Sequence, residues 1–155
     1  MNVALEAGIR AAVLADAPSL AGLHAESFGA ESWSVGQMEG SLRLATTQGW
    51  IVMDGGTMAG FILCQVTLHE KEVLAFCVRP CARRKGLGMK LLKHAMDTEP
   101  AKDMQLEVAA DNEPARRLYE RCGFSAVYTR VGYYRRGPDA VDAIRYRKTG
   151  IRSNN

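Results

Sequence analysis

Arg83-Arg84-Lys85-Gly86-Leu87-Gly88 stands directly before an apolar helical run, and the strand-like stretch Leu74-Ala75-Phe76-Cys77-Val78 lies just upstream. A strand, a glycine turn and a helix in that order point to a sheet covered by helices. The turn also has a chemistry. The first amides of a helix lack intrahelical partners and sit at its positive dipole end, so they form an anion site. Gly86 and Gly88 remove side chains that would hold a phosphate away from those amides. A Walker loop is excluded because no hydroxyl residue follows the turn to hold magnesium. The dinucleotide fingerprint is excluded because Leu91 occupies the place of its third glycine. A diphosphate cradle remains, set against the plainer alternative of a capped amphipathic helix behind a solvated basic turn.

The rest of the chain supplies the partners for this unit. An apolar run over 9–14 predicts a strand, Asp16 a cap, and 17–28 a helix. Trp33-Ser34 offers a second cap before a helix over 35–45. Strands follow at 50–53, 58–68 and 72–78, with Asp54-Gly55-Gly56 as a hairpin turn and a break near His69-Glu70-Lys71. Leu87, Leu91, Leu92, Ala95 and Met96 form one face of the helix after the glycine turn, which Pro100 stops. Residues 104–109 alternate, with Leu106 and Val108 on one face and Gln105 and Glu107 on the other. Asn112 and Pro114 open another helix and Gly123 closes it. Residues 125–134 and 141–147 predict a final antiparallel pair, joined by a loop at 136–139. A single domain over 1–148 is expected, with 149–155 as a frayed tail. The order β-α-α-β-β-β-α-β-α-β-β fits a mixed sheet with helices on both faces.

Composition narrows the classes of function. A formal charge of +3 with locally clustered basic residues gives no stripe for nucleic acid, and none is expected as a direct partner. No apolar run approaches the ~20 residues of a membrane span. Met1-Asn2-Val3-Ala4-Leu5-Glu6 lacks the basic start and long apolar stretch of a signal peptide, so a cytoplasmic location is expected. Cys64, Cys77, Cys81 and Cys122 lack zinc-ligand spacing, and three of them lie in apolar patterns that predict buried, reduced thiols. His24, His69 and His94 are scattered, so no metal site is expected.

Arg-x-x-Gly-x-Gly at 83–88 resembles the acyl-coenzyme-A signature of the GCN5-related N-acetyltransferase (GNAT) family. Leu106-Glu107-Val108 followed by Asn112-x-x-Ala115-x-x-Leu118-Tyr119-x-x-x-Gly123-Phe124 is similar to a second signature of the same family, in the right order. The likeness runs to about Lys148. Leu-Glu-Val at 106–108 and Gly132-Tyr133-Tyr134 are similar to RimI-type members, which acetylate the N-terminal alanine of a small-subunit ribosomal protein, number eighteen in the usual count. The resemblance implies an α/β three-layer fold, a mostly antiparallel mixed sheet of about seven strands flanked by about four helices. It implies acetyl-CoA as cosubstrate and a protein N-terminal peptide, of a ribosomal protein, as partner; it leaves the oligomeric state open. Phe76, Cys77 and Val78 would lie along the pantetheine arm. Arg83, Arg84, Lys85, Gly86, Leu87, Gly88 and Met89 would hold the pyrophosphate, and Asn112 would contact the cofactor toward its thiol end. Glu107 matches the general base and Tyr119 the general acid.

These assignments suit the reaction. Transfer from a thioester to an amine needs a neutral amine, a stabilised oxyanion and a protonated leaving thiolate. An α-amino group titrates near ~8 and a lysine amine near ~10.4, so a carboxylate acting through water is adequate for the former. A phenol, with an ordinary pKa near ~10, carries the proton a thiolate requires. No residue is acylated, so direct transfer in a ternary complex is expected. Each residue also has a plainer reading: Glu107 as a solvent-facing strand residue, Tyr119 as packing beside Leu118, Tyr133 and Tyr134 as strand residues instead of a lining for the acceptor groove. A small-molecule amine or lysine acceptor, and a non-catalytic acyl-CoA-binding module, stand as alternatives.

Overall fold

The structure is a computed structural model that describes residues 8–151. Its elements are β1 (Gly8–Ala11), α1 (Ala17–Phe28), α2 (Val35–Leu42), β2 (Thr47–Asp54), β3 (Thr57–Val66) and β4 (Glu70–Val78), then α3 (Leu87–Asp97), β5 (Asp103–Ala109), α4 (Glu113–Arg121), β6 (Ser125–Arg136) and β7 (Asp139–Lys148). The strands form one seven-stranded sheet in the order β1-β2-β3-β4-β5-β7-β6. Neighbours are antiparallel except β4 and β5, whose parallel pairing requires the α3 crossover between them. The expected mixed sheet and its four helices are present.

Each face of the sheet has its own core. Leu20 and Leu23 of α1 and Met38 of α2 pack on Ile51, Phe61, Leu63, Ala75 and Cys77. On the other face, Leu91 and Leu92 of α3 and Tyr119 of α4 pack on Ile62, Leu106, Val108 and Tyr146. The alternation of β5 and the stripe of α3 thus bury the apolar residues the pattern selects. Ser34 caps α2 as a capping box with Gln37, accepting its N–H at 3.2 Å while Gln37 Oε1 accepts the Ser34 N–H at 2.8 Å. Gly55 and Gly56, both at positive φ, make the two-residue β2–β3 turn.

Several boundaries differ from expectation for local reasons. The first strand ends at Ala11 instead of Leu14, because the Asp16 carboxylate accepts the Val13 N–H at 2.8 Å and binds Arg10, folding Leu14–Asp16 into a 3-10 turn. Asp16 therefore closes that turn and makes no side-chain cap on α1. The second helix stops at Leu42, short of 45. The break before β4 falls at 67–69, and Glu70 and Lys71 belong to the strand. The beginning of the tail docks instead of fraying: the Gly150 N–H donates to Asp103 Oδ1 at 2.8 Å and the Ile151 N–H to Pro100 O at 2.7 Å. The expectations for Met1–Glu6 and for 152–155 lie outside the described residues.

The feature that positions the site is a split in the sheet. β4 and β5 pair only at Glu70–Asp103, Lys71–Met104 and Glu72–Gln105. Beyond Glu72 the β3–β4 register shifts, so that Leu63 faces Ala75 while Cys64 faces Val73 and Leu74 is left over. An extra residue bends and twists its strand. The ends of β4 and β5 consequently run on without pairing to each other, and a slot opens between Phe76–Val78 and 107–109.

Candidate active site

The glycine turn lies at the head of α3, beside the end of β4. Gly86, at φ +75°, takes the left-handed conformation that the turn needs, and Arg84 shares it at φ +66°. The first intrahelical bond runs from the Lys90 N–H to Gly86 O at 3.0 Å, which leaves the Leu87, Gly88 and Met89 amides ahead of the ladder. The basic side chains divide their work. Arg83 turns back, donating from Nε to Val78 O at 3.0 Å and from Nη2 to Ser27 Oγ at 3.2 Å. Lys85 reaches Asp54 on the β2–β3 hairpin at 3.0 Å. Arg84 makes no hydrogen bond or ion pair among the described residues. The amides of 87–89 and the Arg84 side chain are thus left available to an anion, while Arg83 and Lys85 are engaged with the protein. Gly88 serves close packing: a side chain there would meet Leu118, Phe76 and Val78.

Phe76, Cys77 and Val78 alternate across β4. Phe76 and Val78 pack toward α3 and α4, and Cys77 toward α1 and α2. Their backbone edge on the β5 side has no strand partner beyond the split, apart from the Arg83 bond to Val78 O, so an extended chain bearing amides could add there as a short strand. Burial pushes the Cys77 thiol up to about 12, the chemistry of a packing residue and not of a nucleophile.

Glu107 lies across the slot, its side chain 16% exposed. Its Oε1 accepts a hydrogen bond from Arg145 Nη1 at 3.3 Å and forms an ion pair with Arg130 Nε at 3.1 Å, while Oε2 accepts no hydrogen bond among the described residues. Tyr119 is buried on the inner face of α4, with ring centroids 6.3 Å from Phe76, 6.0 Å from Phe124 and 5.9 Å from Tyr146. Desolvation raises its phenol well above the ordinary value, which holds it protonated. The Tyr119 hydroxyl has no hydrogen-bond partner among the described residues. Asn112 caps α4, its Oδ1 accepting the Ala115 N–H at 3.4 Å.

The two adjacent tyrosines meet edge to face, with ring centroids 5.2 Å apart, but differ in burial. Tyr134 is half-buried, raised first by desolvation and then by the Glu107 charge, and it couples in turn to Tyr119. Tyr133 is exposed, its ring 5.1 Å from the Arg130 guanidinium. Sequence reasoning passes over Arg130, Arg145 and Glu72, which surround Glu107. Opposite charges on facing strand positions are the only signal they carry, and reading it requires knowing which strands pair.

A sheet split between parallel neighbours, with an amide cradle at the head of the crossover helix, suits an extended ligand that ends in a diphosphate. Comparison agrees: the model of the acetyltransferase (GNAT) family matches residues 17–124. The ribosomal protein bS18-alanine N-acetyltransferase of Escherichia coli K12 is 34% identical over 124 residues, covering 78% of this chain and 80% of that protein. N-alpha-acetyltransferase RimI of Mycobacterium tuberculosis is 33% identical over 138 residues, covering 85% of this chain and 87% of that one. The crystal structure of the ribosomal-protein-S18-alanine N-acetyltransferase from Escherichia coli shares the fold with a TM-score of 0.87 at 28% identity, over 96% of both chains. The chain belongs to the acetyltransferase (GNAT) family.

Proposed function

We propose that this protein is an acetyl-CoA-dependent N-α-acetyltransferase whose acceptor is the N-terminal alanine of ribosomal protein bS18, working as one domain over 1–148 in the cytoplasm. The observation that carries the reading is the split between β4 and β5, with unpaired helix-head amides at 87–89 beside it and Glu107 on β5 beyond the last β4–β5 pair. Identity of 33–34% to two N-α-acetyltransferases supports the acceptor. No helix among the described residues is long and apolar enough to cross a membrane.

The residues fit the cosubstrate. The cradle amides of 87–89 and Arg84 would hold its diphosphate, the free edge of Phe76–Val78 its pantetheine amides, and Asn112 the end near the thiol. When bound, acetyl-CoA supplies the acetyl thioester. Glu107 takes the amine proton, with Oε2 free to reach it through a water while Oε1 stays anchored. Tyr119, kept protonated by burial, gives its proton to the departing thiolate.

The test is intact-mass analysis of unmodified bS18 incubated with enzyme and acetyl-CoA, beside a panel of polyamines and lysine peptides. One acetyl group on the α-amine of Ala is expected; transfer only to the panel would replace the acceptor, and cofactor binding without transfer would leave a binding module. Glu107→Gln and Tyr119→Phe should each lower turnover by roughly 10²–10⁴-fold with acetyl-CoA affinity unchanged. Wild-type rates in both variants would remove these roles.

A further inference from the structure

Glu107 is one member of a charge cluster that spans four strands. Arg145 is its registered cross-strand partner on β7. The Arg145 guanidinium uses all three nitrogens: Nη1 donates to Glu107 Oε1 at 3.3 Å and to Glu72 Oε1 at 3.3 Å, Nη2 to Glu72 Oε1 at 3.4 Å, and Nε to Gln105 Oε1 at 3.0 Å. Glu72 and Gln105 form the last pair before β4 and β5 part. One side chain thus ties the vertex of the split to the carboxylate on its far wall. Arg130 approaches the same Oε1 from β6, with Tyr133 against its guanidinium at 5.1 Å.

We propose that Arg145 and Arg130 are positioning residues for Glu107, and that Arg145 sets the carboxylate relative to the opening of the split; this rests on the reading of Glu107 as the base. A carboxylate on a three-torsion side chain has many orientations, and a forked guanidinium is the donor suited to fix one of them. Both arginines bind Oε1 and leave Oε2 free. The arrangement immobilises the group without occupying the oxygen that must work. The charges facing Glu107 from each neighbouring strand are Arg145 on β7, Arg130 on β6 and, through Arg145, Glu72 on β4; the Tyr134 phenol of β6 also faces it. The two cations and two anions balance, so the cluster orients without adding net charge. Partly exposed ion pairs of this kind contribute little to folding, so their placement at the vertex answers to geometry.

A double-mutant cycle tests the proposal. Arg145→Gln and Arg130→Gln are each made in the wild type and in Glu107→Gln, and kcat and both KM values are measured with an alanine-starting peptide. Arg145→Gln is expected to lower kcat about ten- to hundredfold in the wild type while the KM for acetyl-CoA holds, with part recovered by Arg145→Lys. In the Glu107→Gln background the same change should cost nothing further, because the arginine acts only through that carboxylate. An equal loss in both backgrounds overturns the inference and leaves Glu107 as base intact. Full activity of Glu107→Gln alone overturns both. Thermal unfolding accompanies each variant; if Arg145→Gln does not fold, Arg130→Gln on the edge strand gives the same comparison, and an equal loss in both backgrounds overturns the inference there too.

Discussion

Gly60 on β3 and Gly88 on α3 both face β4, the strand assigned to the pantetheine arm, yet they meet it differently. A side chain at Gly60 would lie 2.6 Å from Cys77 O and 3.1 Å from Val78 Cα, both backbone atoms. One at Gly88 would lie 3.3 Å from Leu118 Cδ2 and 3.6 Å from Phe76 Cζ, the tips of side chains that can turn. Gly60→Ala is therefore expected to displace the edge of β4, costing ~1–3 kcal/mol and weakening acetyl-CoA binding. Gly88→Ala should be close to neutral, because the ~1 kcal/mol of helix propensity that Ala gains over Gly offsets the tighter contact. Urea midpoints at constant m-value and an acetyl-CoA titration check both; equal losses in the two variants would contradict this difference. Nothing in the sequence around Gly60 marks it, since the constraint comes from a neighbouring strand. Gly86 is legible, because a glycine at a helix head is a local signal. The sequence alone sets Gly88 beside phosphate, whereas its missing side chain lets α3 settle against Phe76 and Leu118.

α4 carries Tyr119, the proposed general acid, with Asn112, the proposed cofactor contact, at its cap. It is tied to β7 by Tyr146, which is fully buried and whose hydroxyl accepts from Arg116 Nε at 3.1 Å and donates to Glu120 Oε1 at 3.0 Å. Arg116 also donates to Ala110 O at 3.0 Å, so the β5–α4 turn hangs on the same side chain. Tyr146→Phe keeps the ring and its packing while removing both hydroxyl bonds. At ~1 kcal/mol for each bond it should lose about 1–3 kcal/mol, and turnover should fall as the Tyr119 ring loses its fixed position. Denaturant unfolding and steady-state kinetics check the pair of effects; lost stability with unchanged kcat would show that Tyr119 is positioned by its own ring contacts alone. Elements of this kind are largely legible. The caps of α2 and α4, the Gly55-Gly56 turn and the alternation of β5 are short-range signals, and all stand where the local pattern puts them. The split and the cluster around Glu107 are not, because the bonds from Arg145 join residues 38 and 73 positions apart. Such contacts follow from strand order and register, which no local pattern encodes.

At the scale of the whole molecule, burial sets how stability responds to alkali. Cys64 lies in the core under α3 and Cys77 in the core under α1, and burial pushes each thiol up to about 12. An unfolded thiol titrates near ~8.5, so above that pH the unfolded chain gives up protons that the folded chain keeps. The folded state then binds more protons, and stability must fall as pH rises from about 8.5 toward about 12. Cys122, Tyr119 and Tyr134 are raised by desolvation as well and act with the same sign. Lys71 opposes them. It is buried beneath α3 with Nζ donating to Ala95 O at 2.8 Å, and desolvation lowers it. Folded Lys71 therefore releases its proton before the unfolded residue does, near ~10.4, and its contribution rises with pH across that interval. Several raised groups against one lowered group make the net slope negative. Urea midpoints should hold near neutrality and decline above pH ~8.5. The Cys64→Ala/Cys77→Ala double variant should flatten that decline even though its cavities lower the absolute midpoint, and Lys71→Met should steepen it by removing the opposing group. A double variant whose midpoint falls with pH as steeply as the wild type would take the thiols out of the explanation.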